Sequence, residues 1–232
     1  MENVKKITII TGHYGCGKTN FSVNYALFLA KTGKKVVVAD FDIVNPYFRT
    51  ADFKELFEAN GIKLIAPQFA NTNVDIPTIN FDLLDIEDDE YLIVDVGGDD
   101  SGAVALGRFS SSIENDDYDM LYVINKYRYL MQDPKDSLSM LSAIENASRL
   151  RHTGIVNNSN LGTETTPETV LDSVPYMEKL SELSGLPIFA YSAVSSVAEA
   201  LNGSISPVLS LNLQEKYFDL PSQKPGNRPL WG

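Results

Sequence analysis

An eight-residue segment near the start of the chain constrains its fold more than any other feature. Gly12-His13-Tyr14-Gly15-Cys16-Gly17-Lys18-Thr19 fits the pattern G-x-x-x-x-G-K-[ST]. It stands between the apolar run Ile7-Thr8-Ile9-Ile10 and a segment with helical spacing over 19–31. Strand, glycine loop and helix in that order form the context in which the pattern carries chemistry. Glycines let the backbone turn so that successive N–H groups point at one anion. The helix start adds a partial positive charge. Lys18 is then placed for the β- and γ-phosphates of a nucleotide, and the Thr19 hydroxyl for Mg²⁺. Gly12, His13, Tyr14, Gly15, Cys16, Gly17, Lys18, Thr19 and the following Asn20 are the candidate nucleotide contacts. The alternative is a glycine-rich strand-to-helix turn that binds nothing, and the context argues against it.

The rest of the chain repeats strand, loop and helix. Lys35-Val36-Val37-Val38-Ala39 is a β-branched run with little alternation, as in a strand covered on both faces. A helix is expected over 51–59, stopped by Asn60-Gly61, and a short strand over 63–66. Residues 67–90 are irregular, with Pro67, Pro77 and an acidic run over 87–90 that reads as a solvated turn. Further strands are expected over 91–96, 120–124, 154–156 and 187–191. Helices are expected over 103–114, from Pro134 to about 151, and from Pro167 to Gly185. Such alternation predicts an α/β fold: a mainly parallel sheet with helices on both faces. No linker divides the chain, so residues 1–220 read as a single domain. Residues 221–232 read as a Pro/Gly-rich tail.

Carboxylates fall where a phosphate site needs them. Asp95 follows the apolar Tyr91-Leu92-Ile93-Val94, where it can hold Mg²⁺, and Gly97-Gly98 permit close approach to a γ-phosphate. Asp40 and Asp42 end the second strand. Open α/β sheets bind ligands outside the carboxyl ends of their strands, so all three aspartates can face one crevice. Asp40 and Asp42 can equally cap the following turn.

Composition narrows the classes further. Of the 232 residues, 19 are Lys or Arg and 31 Asp or Glu, a net charge of −12, which disfavours nucleic acid as a partner. The single cysteine, Cys16, excludes an intramolecular disulfide. It reads as a small residue filling the loop. No signal-peptide pattern opens the chain, and a cytoplasmic location is expected. Residues 209–220 carry only Lys216 as a basic residue, so no amphipathic membrane anchor is expected there.

The glycine loop, Val38-Ala39-Asp40-Phe41-Asp42 and Ile93-Val94-Asp95-Val96-Gly97-Gly98 together resemble the MinD/ParA branch of the P-loop NTPases. That branch includes the CobQ/CobB/MinD/ParA nucleotide-binding domains. The resemblance runs from residue 7 to about residue 190. It implies Lys18, Asp42 and Asp95 as the catalytic set, with Thr19, Asp42 and Asp95 around the metal. It places Asp42 in the first switch segment, near the attacking water. Asn157, in Gly154-Ile155-Val156-Asn157-Asn158, resembles the residue that reads adenine; an ordinary strand-end turn is the other reading. The chain departs from the pattern at His13, where many members carry a second lysine that reaches a dimer partner's nucleotide. A histidine is only partly charged at neutral pH.

The resemblance implies ATP and Mg²⁺ as cofactors and a slow or partner-stimulated ATPase. ATP binding would order Asp42 through Tyr47-Phe48-Arg49, and an unidentified protein partner would read that change; a homodimer is also open to the chain. Two other classes stay open. One is an ATP-dependent small-molecule enzyme, a kinase or a ligase of the dethiobiotin-synthetase type, with Tyr47, Arg49, Gln68 and Asn71 lining a substrate pocket. The other is a non-hydrolysing nucleotide sensor. GTP is a variant suggested by Asn125-Lys126, but Arg128 stands where a guanine reader needs a carboxylate.

Overall fold

The structure, a computed structural model, describes residues 4–42, 49–66, 86–98, 100–114 and 117–212. Tyr47, Phe48, Pro67, Gln68, Asn71, Pro77 and the tail 221–232 lie outside the described residues.

Strand β1 (Ile7–Thr11) leads through the glycine loop into α1 (Lys18–Lys31) and then β2 (Lys35–Phe41). A 3₁₀ turn (Thr50–Phe53), α2 (Lys54–Ala59) and β3 (Lys63–Ile65) follow, and then β4 (Glu90–Val96). Next come α3 (Asp100–Leu106), α4 (Ser110–Ile113), β5 (Tyr118–Ile124), α5 (Pro134–Ser148) and β6 (Gly154–Asn157). The described chain finishes with α6 (Pro167–Leu171), α7 (Val174–Ser184), β7 (Ile188–Val194), α8 (Ser195–Ala200) and β8 (Val208–Leu211). The eight strands form one sheet in the order β3-β2-β4-β1-β5-β6-β7-β8, and every pairing is parallel. This is the α/β class expected from the sequence.

Apolar residues on both faces explain the strands' lack of alternation. Val36, Val38, Ile10 and Ile93 pack with α1 residues Phe21 and Tyr25 in one core cluster. Val37, Ala39, Phe41, Leu92, Val94 and Val96 pack with Leu106 and Ile113 in another. Phe21 and Tyr25 stack at 5.8 Å between ring centroids. Burying each is worth about 2–3 kcal/mol, which seats α1 across the middle of the sheet. Gly33, at φ 85, and Gly61, at φ 67, follow the ends of α1 and α2, where the sequence puts the helix stops.

The topology makes the crevice. From the central β1 the chain passes to β2 on one side, and β4 later fills the gap between them. From β4 it then crosses to β5 on the other side of β1. Connections therefore diverge above the carboxyl end of β1, where the glycine loop lies.

Several elements differ from expectation. The helix expected over 103–114 is two, α3 and α4, because Gly107 lies against the end of α5. A Cβ there would stand 2.7 Å from the Ala147 carbonyl oxygen. The helix expected from Pro167 to Gly185 is also two, with Pro175 in the first turn of α7. Helix α8 and edge strand β8 carry no periodicity long enough to read. Asn24 of α1 ties β8 down: its Nδ2 donates to the Asn212 carbonyl at 3.0 Å, and its Oδ1 accepts from the Asn212 N–H at 2.8 Å. Of the acidic run, residues 87–89 lie exposed, with Lys35 Nζ 2.6 Å from Asp89, whereas Glu90 opens β4 and is half-buried. Among the described residues no helix is long and apolar enough to cross a membrane.

Candidate nucleotide-phosphate site

The loop from Gly12 to Thr19 is held from outside as well as by its own turns. Gly17, at φ 90, stands at the N-cap of α1, and no side chain caps that helix. No acidic residue occupies its first turn. The first N–H groups of a helix lack intrahelical acceptors, and an acid usually compensates them. A helix start without an acid favours an external anion. Asn158 Nδ2 donates to the Cys16 carbonyl at 2.8 Å and blocks any side chain at Gly17. Cys16 is fully buried, and burial pushes its thiol pKa up, so it fills the loop as expected.

Lys18 is buried, and its Nζ donates to the His13 carbonyl at 3.3 Å. It lies against Gly98, where a Cβ would stand 2.7 Å from Nζ and 2.8 Å from the Tyr14 backbone nitrogen. Any larger residue at 98 would push into the lysine and the loop. His13 is half-buried, with Nδ1 2.9 Å from the Tyr14 carbonyl oxygen; Tyr14 itself is exposed.

Asp95 ends β4 on the face of the sheet that α1 covers. Ser22 Oγ donates to its Oδ1 at 3.0 Å, while its buried Oδ2 has no hydrogen-bond partner. Burial pushes the Asp95 carboxyl up to about 7, and the charge of Asp40 adds to this. Lys18 and the Thr19 and Ser22 hydroxyls pull the other way. Asp40 is the direct neighbour of Asp95 in the β2–β4 register. Its Oδ1 accepts from the Asp42 N–H and its Oδ2 from the Ala51 N–H, each at 3.0 Å. Asp40 thus has the capping arrangement. Burial raises its pKa too, against those two N–H groups. Asp42 is buried with its carboxylate over Gly97, where a Cβ would stand 3.1 Å from Oδ1. Lys18, Thr19, Asp42 and Asp95 therefore meet at one end of the crevice.

The donor set suits a hard divalent cation. One orphaned carboxylate oxygen and a nearby hydroxyl, with nucleotide phosphates to complete the shell, are how Mg²⁺ is usually held. Among the described residues no group of three or more His, Cys, Asp or Glu forms a full protein cage. Thr19 and Asp95 fit, and Asp42 lies close by.

The other end is built differently. Asn157 is fully buried: its Nδ2 donates to Ser173 Oγ at 2.6 Å, and its Oδ1 accepts from the Ser159 N–H at 3.0 Å. Both ends of its amide are thus bonded within the protein. Beside it a cavity of about 120 Å³ is lined by Gly15, Gly17, Asn20, Arg128, Asn158 and Thr165, among others. Asn125 is fully buried and bonded to the Tyr127 N–H and the Asn160 carbonyl; Lys126 donates to the Asp172 carbonyl. A second cavity, of about 400 Å³, opens between Gly97-Gly98, His13 and the α5 residues Met140, Ala143 and Ile144.

Sequence reasoning missed Ser22 and the role of Asn158 in holding the loop. Ser22 stands three residues after Thr19, on the same face of α1, and that spacing could have revealed it. Asn158 carries no spacing signal.

Known proteins place this geometry. A family model described as the CobQ/CobB/MinD/ParA nucleotide binding domain matches residues 7–187. No curated protein sequence matches the chain significantly. Among solved structures, the cell division protein FtsY of Thermotoga maritima superposes with a TM-score of 0.55 at 19% identity. The match covers 81% of this chain and 61% of that one. The 54 kDa signal recognition particle protein of Aeropyrum pernix, in complex with GDP, gives 0.53 at 18% identity, covering 81% and 41%. A nucleotide-binding protein from Archaeoglobus fulgidus in complex with ADP gives 0.53 at 16% identity, covering 84% and 85%. The chain thus spans about three fifths of the length of the FtsY structure. These likenesses show the P-loop NTPase fold. Since the family model also spans most of the sequence, the chain belongs to the CobQ/CobB/MinD/ParA nucleotide-binding domain family.

Proposed function

We propose that this protein binds and hydrolyses ATP with Mg²⁺ and serves as a switch for a protein partner. The observation that carries the reading is the buried, unpartnered Oδ2 of Asp95, beside Lys18 and below an uncapped helix start. A fold that buries a carboxylate and leaves half of it unsatisfied needs something to complete it.

In this reading the N–H groups of the loop and Lys18 hold the phosphate oxygens and meet the charge that develops during transfer. Thr19 and Asp95 hold Mg²⁺, which when bound neutralises phosphate charge. Asp42 orients the attacking water. Its carboxylate already rests on Gly97, so a γ-phosphate at Gly97-Gly98 would bear on Asp42 and on the turn that Asp40 organises through Ala51. That coupling is the switch. His13 supplies no permanent cation, so turnover is slow unless a partner, or a second copy of the chain, completes the site.

Adenine is favoured over guanine. Asn125 and Lys126 are engaged by the protein itself, and the exposed Arg128 offers a donor where guanine recognition needs an acceptor. A second reading, an ATP-dependent small-molecule enzyme, is supported by the 400 Å³ cavity beside Gly97-Gly98.

The test is hydrolysis of ATP and GTP by the purified protein with Mg²⁺, with light scattering on the same samples. Slow ATP turnover and an ATP-linked change in mass support the switch. Turnover that rises steeply with a metabolite and with no protein supports the second reading. Failure to bind either nucleotide refutes both.

A further inference from the structure

Three buried or half-buried side chains join the end of α5 to the start of the phosphate loop, and none of them is used by the phosphate chemistry above. Arg149 caps α5 in the left-handed conformation, at φ 61, so residues 150–152 fold back over the helix end. This returns the His152 N–H to Glu145 Oε1 at 2.8 Å, with the ring Nδ1 3.3 Å from the same oxygen. Arg151 donates to Glu145 Oε2 at 2.6 Å. The other ring nitrogen, Nε2, is 2.8 Å from Thr11 Oγ1. Thr11 is the last residue of β1, and Gly12 follows it directly. The His152 side chain is wholly excluded from solvent, and the Tyr122 ring packs against it at 5.5 Å.

The chemistry fixes the direction of these bonds. A carboxylate only accepts, so the nitrogen facing Glu145 must carry the proton. Nε2 is then an acceptor and takes the Thr11 hydroxyl proton. That proton has one other acceptor, the Leu121 carbonyl at 3.3 Å, and the shorter bond prevails. The hydroxyl at the junction of strand and loop is therefore pinned, through an oriented imidazole, to the carboxyl end of α5.

We propose that His152, oriented by Glu145, is a positioning residue for the phosphate loop: it fixes Thr11 and with it the point where β1 gives way to Gly12. The proposal rests on the nucleotide-binding reading. A residue that only fills the core would affect stability alone. A positioning residue also affects how well the loop fits phosphate, because small misplacements of preorganised donors weaken binding and catalysis.

The decisive pair is Thr11→Val, which keeps the shape and removes the hydroxyl, and Thr11→Ser, which keeps the hydroxyl. Mg²⁺-ATP affinity is measured by calorimetry at a temperature well below the melting point of each variant. Thr11→Val should bind roughly tenfold more weakly, and Thr11→Ser within about twofold of wild type. His152→Gln, whose amide oxygen can accept the same proton, should keep more affinity than His152→Leu. Nitrogen NMR of the ring should show the Nδ1–H form, with an Nε2 signal that moves on nucleotide binding in wild type and stays fixed in Thr11→Val. Equal affinities for wild type, Thr11→Val and Thr11→Ser overturn the proposal, even if melting temperatures fall. Wild type that binds no nucleotide refutes the underlying reading as well, since no loop function is then left to position.

Discussion

Asp95 and Asn157 each lie at the carboxyl end of a parallel strand, each is almost wholly buried, and each accepts a hydrogen bond close to the glycine loop. They differ in what is left over. Both ends of the Asn157 amide are bonded to protein, whereas one oxygen of Asp95 has no partner. Their surroundings follow suit. Around Asn157, Ser192 Oγ donates to Asn158 Oδ1 at 2.8 Å, and Asn160 Nδ2 to the Asn158 carbonyl at 2.7 Å. Around Asp95 stand a buried lysine, an uncapped helix and a second desolvated carboxylate. A satisfied polar network specifies a shape; an unsatisfied one reserves a place for a ligand.

The largest expected effect lies at the unsatisfied end. Lys18→Ala removes an ammonium from the phosphate site and should cut ATP turnover by about 10²–10³-fold, as loss of a preorganised charge-stabilising donor typically does. Its melting temperature should stay near that of wild type. A variant that still turns over ATP at the normal rate would break the comparison, because the open groups would then not be the working ones.

Asp95→Asn probes the same end through stability. The folded carboxyl titrates at about 7 against 3.8 for a free one, so the native state holds its proton where the unfolded chain has lost it. Stability contributed by the protonated form is present below about 3.8 and is lost as pH rises to about 7. Without Mg²⁺ at neutral pH, Asp95→Asn should therefore melt a few degrees above wild type, and with Mg²⁺ it should lose turnover. A lower melting temperature in metal-free buffer would show that Asp95 is stabilised by groups other than a ligand.

At the satisfied end the expected pattern reverses. Asn157→Ala strands the Ser159 N–H, while Ser173 Oγ keeps its bond to the Val170 carbonyl, and should cost about 1–3 kcal/mol of folding stability in a denaturant titration. Affinity for ATP should change by less than about twofold, because the amide is bonded within the protein and does not line the cavity beside it. Large loss of affinity without loss of stability would restore Asn157 as the base reader.

The same contrast explains what could be read from the sequence. That the glycine loop, Asp95 and Asp42 share one crevice was legible because the loop has fixed residue types at fixed spacing and the two aspartates stand at the carboxyl ends of strongly patterned strands. The parallel sheet was legible from Val36-Val37-Val38 and Tyr91-Leu92-Ile93-Val94, whose double-sided burial shows as unbroken apolar runs. The asparagine and serine network was not. Asn125, Asn157, Asn158 and Asn160 all look like ordinary strand-end residues, and only the fold shows which faces the loop. Helices broken at Gly107 and at Ser173 read as continuous because their apolar spacing survives the break. Edge strand β8 has four residues, pairs with β7 and is tied to α1 through Asn24, an attachment no local pattern reveals.

The smallest expected effect tests a network that is satisfied yet titratable. Burial holds the His152 pKa below 6.5, against the opposing pull of Glu145. Burial would raise the Glu145 carboxyl, but hydrogen bonds from the His152 ring and N–H and from Arg151 outweigh it and bring it to about 2. Below pH 6.5 the unfolded chain takes up a proton that folded His152 resists, so its contribution to stability falls as pH drops. Glu145 acts with the same sign lower down: its contribution, full above 4.5, is lost as pH falls towards 2. Wild type should therefore lose stability relative to His152→Gln between pH 7.5 and 5.5, by only a few degrees of melting temperature, since the Nδ1 bond to Glu145 recovers part of the cost. Glu145→Gln should flatten the lower limb, below about pH 4.5. Parallel melting curves for wild type and His152→Gln across the upper range would mean that the imidazole charges freely inside the fold. The closed end of the comparison would then include a group that water can still reach.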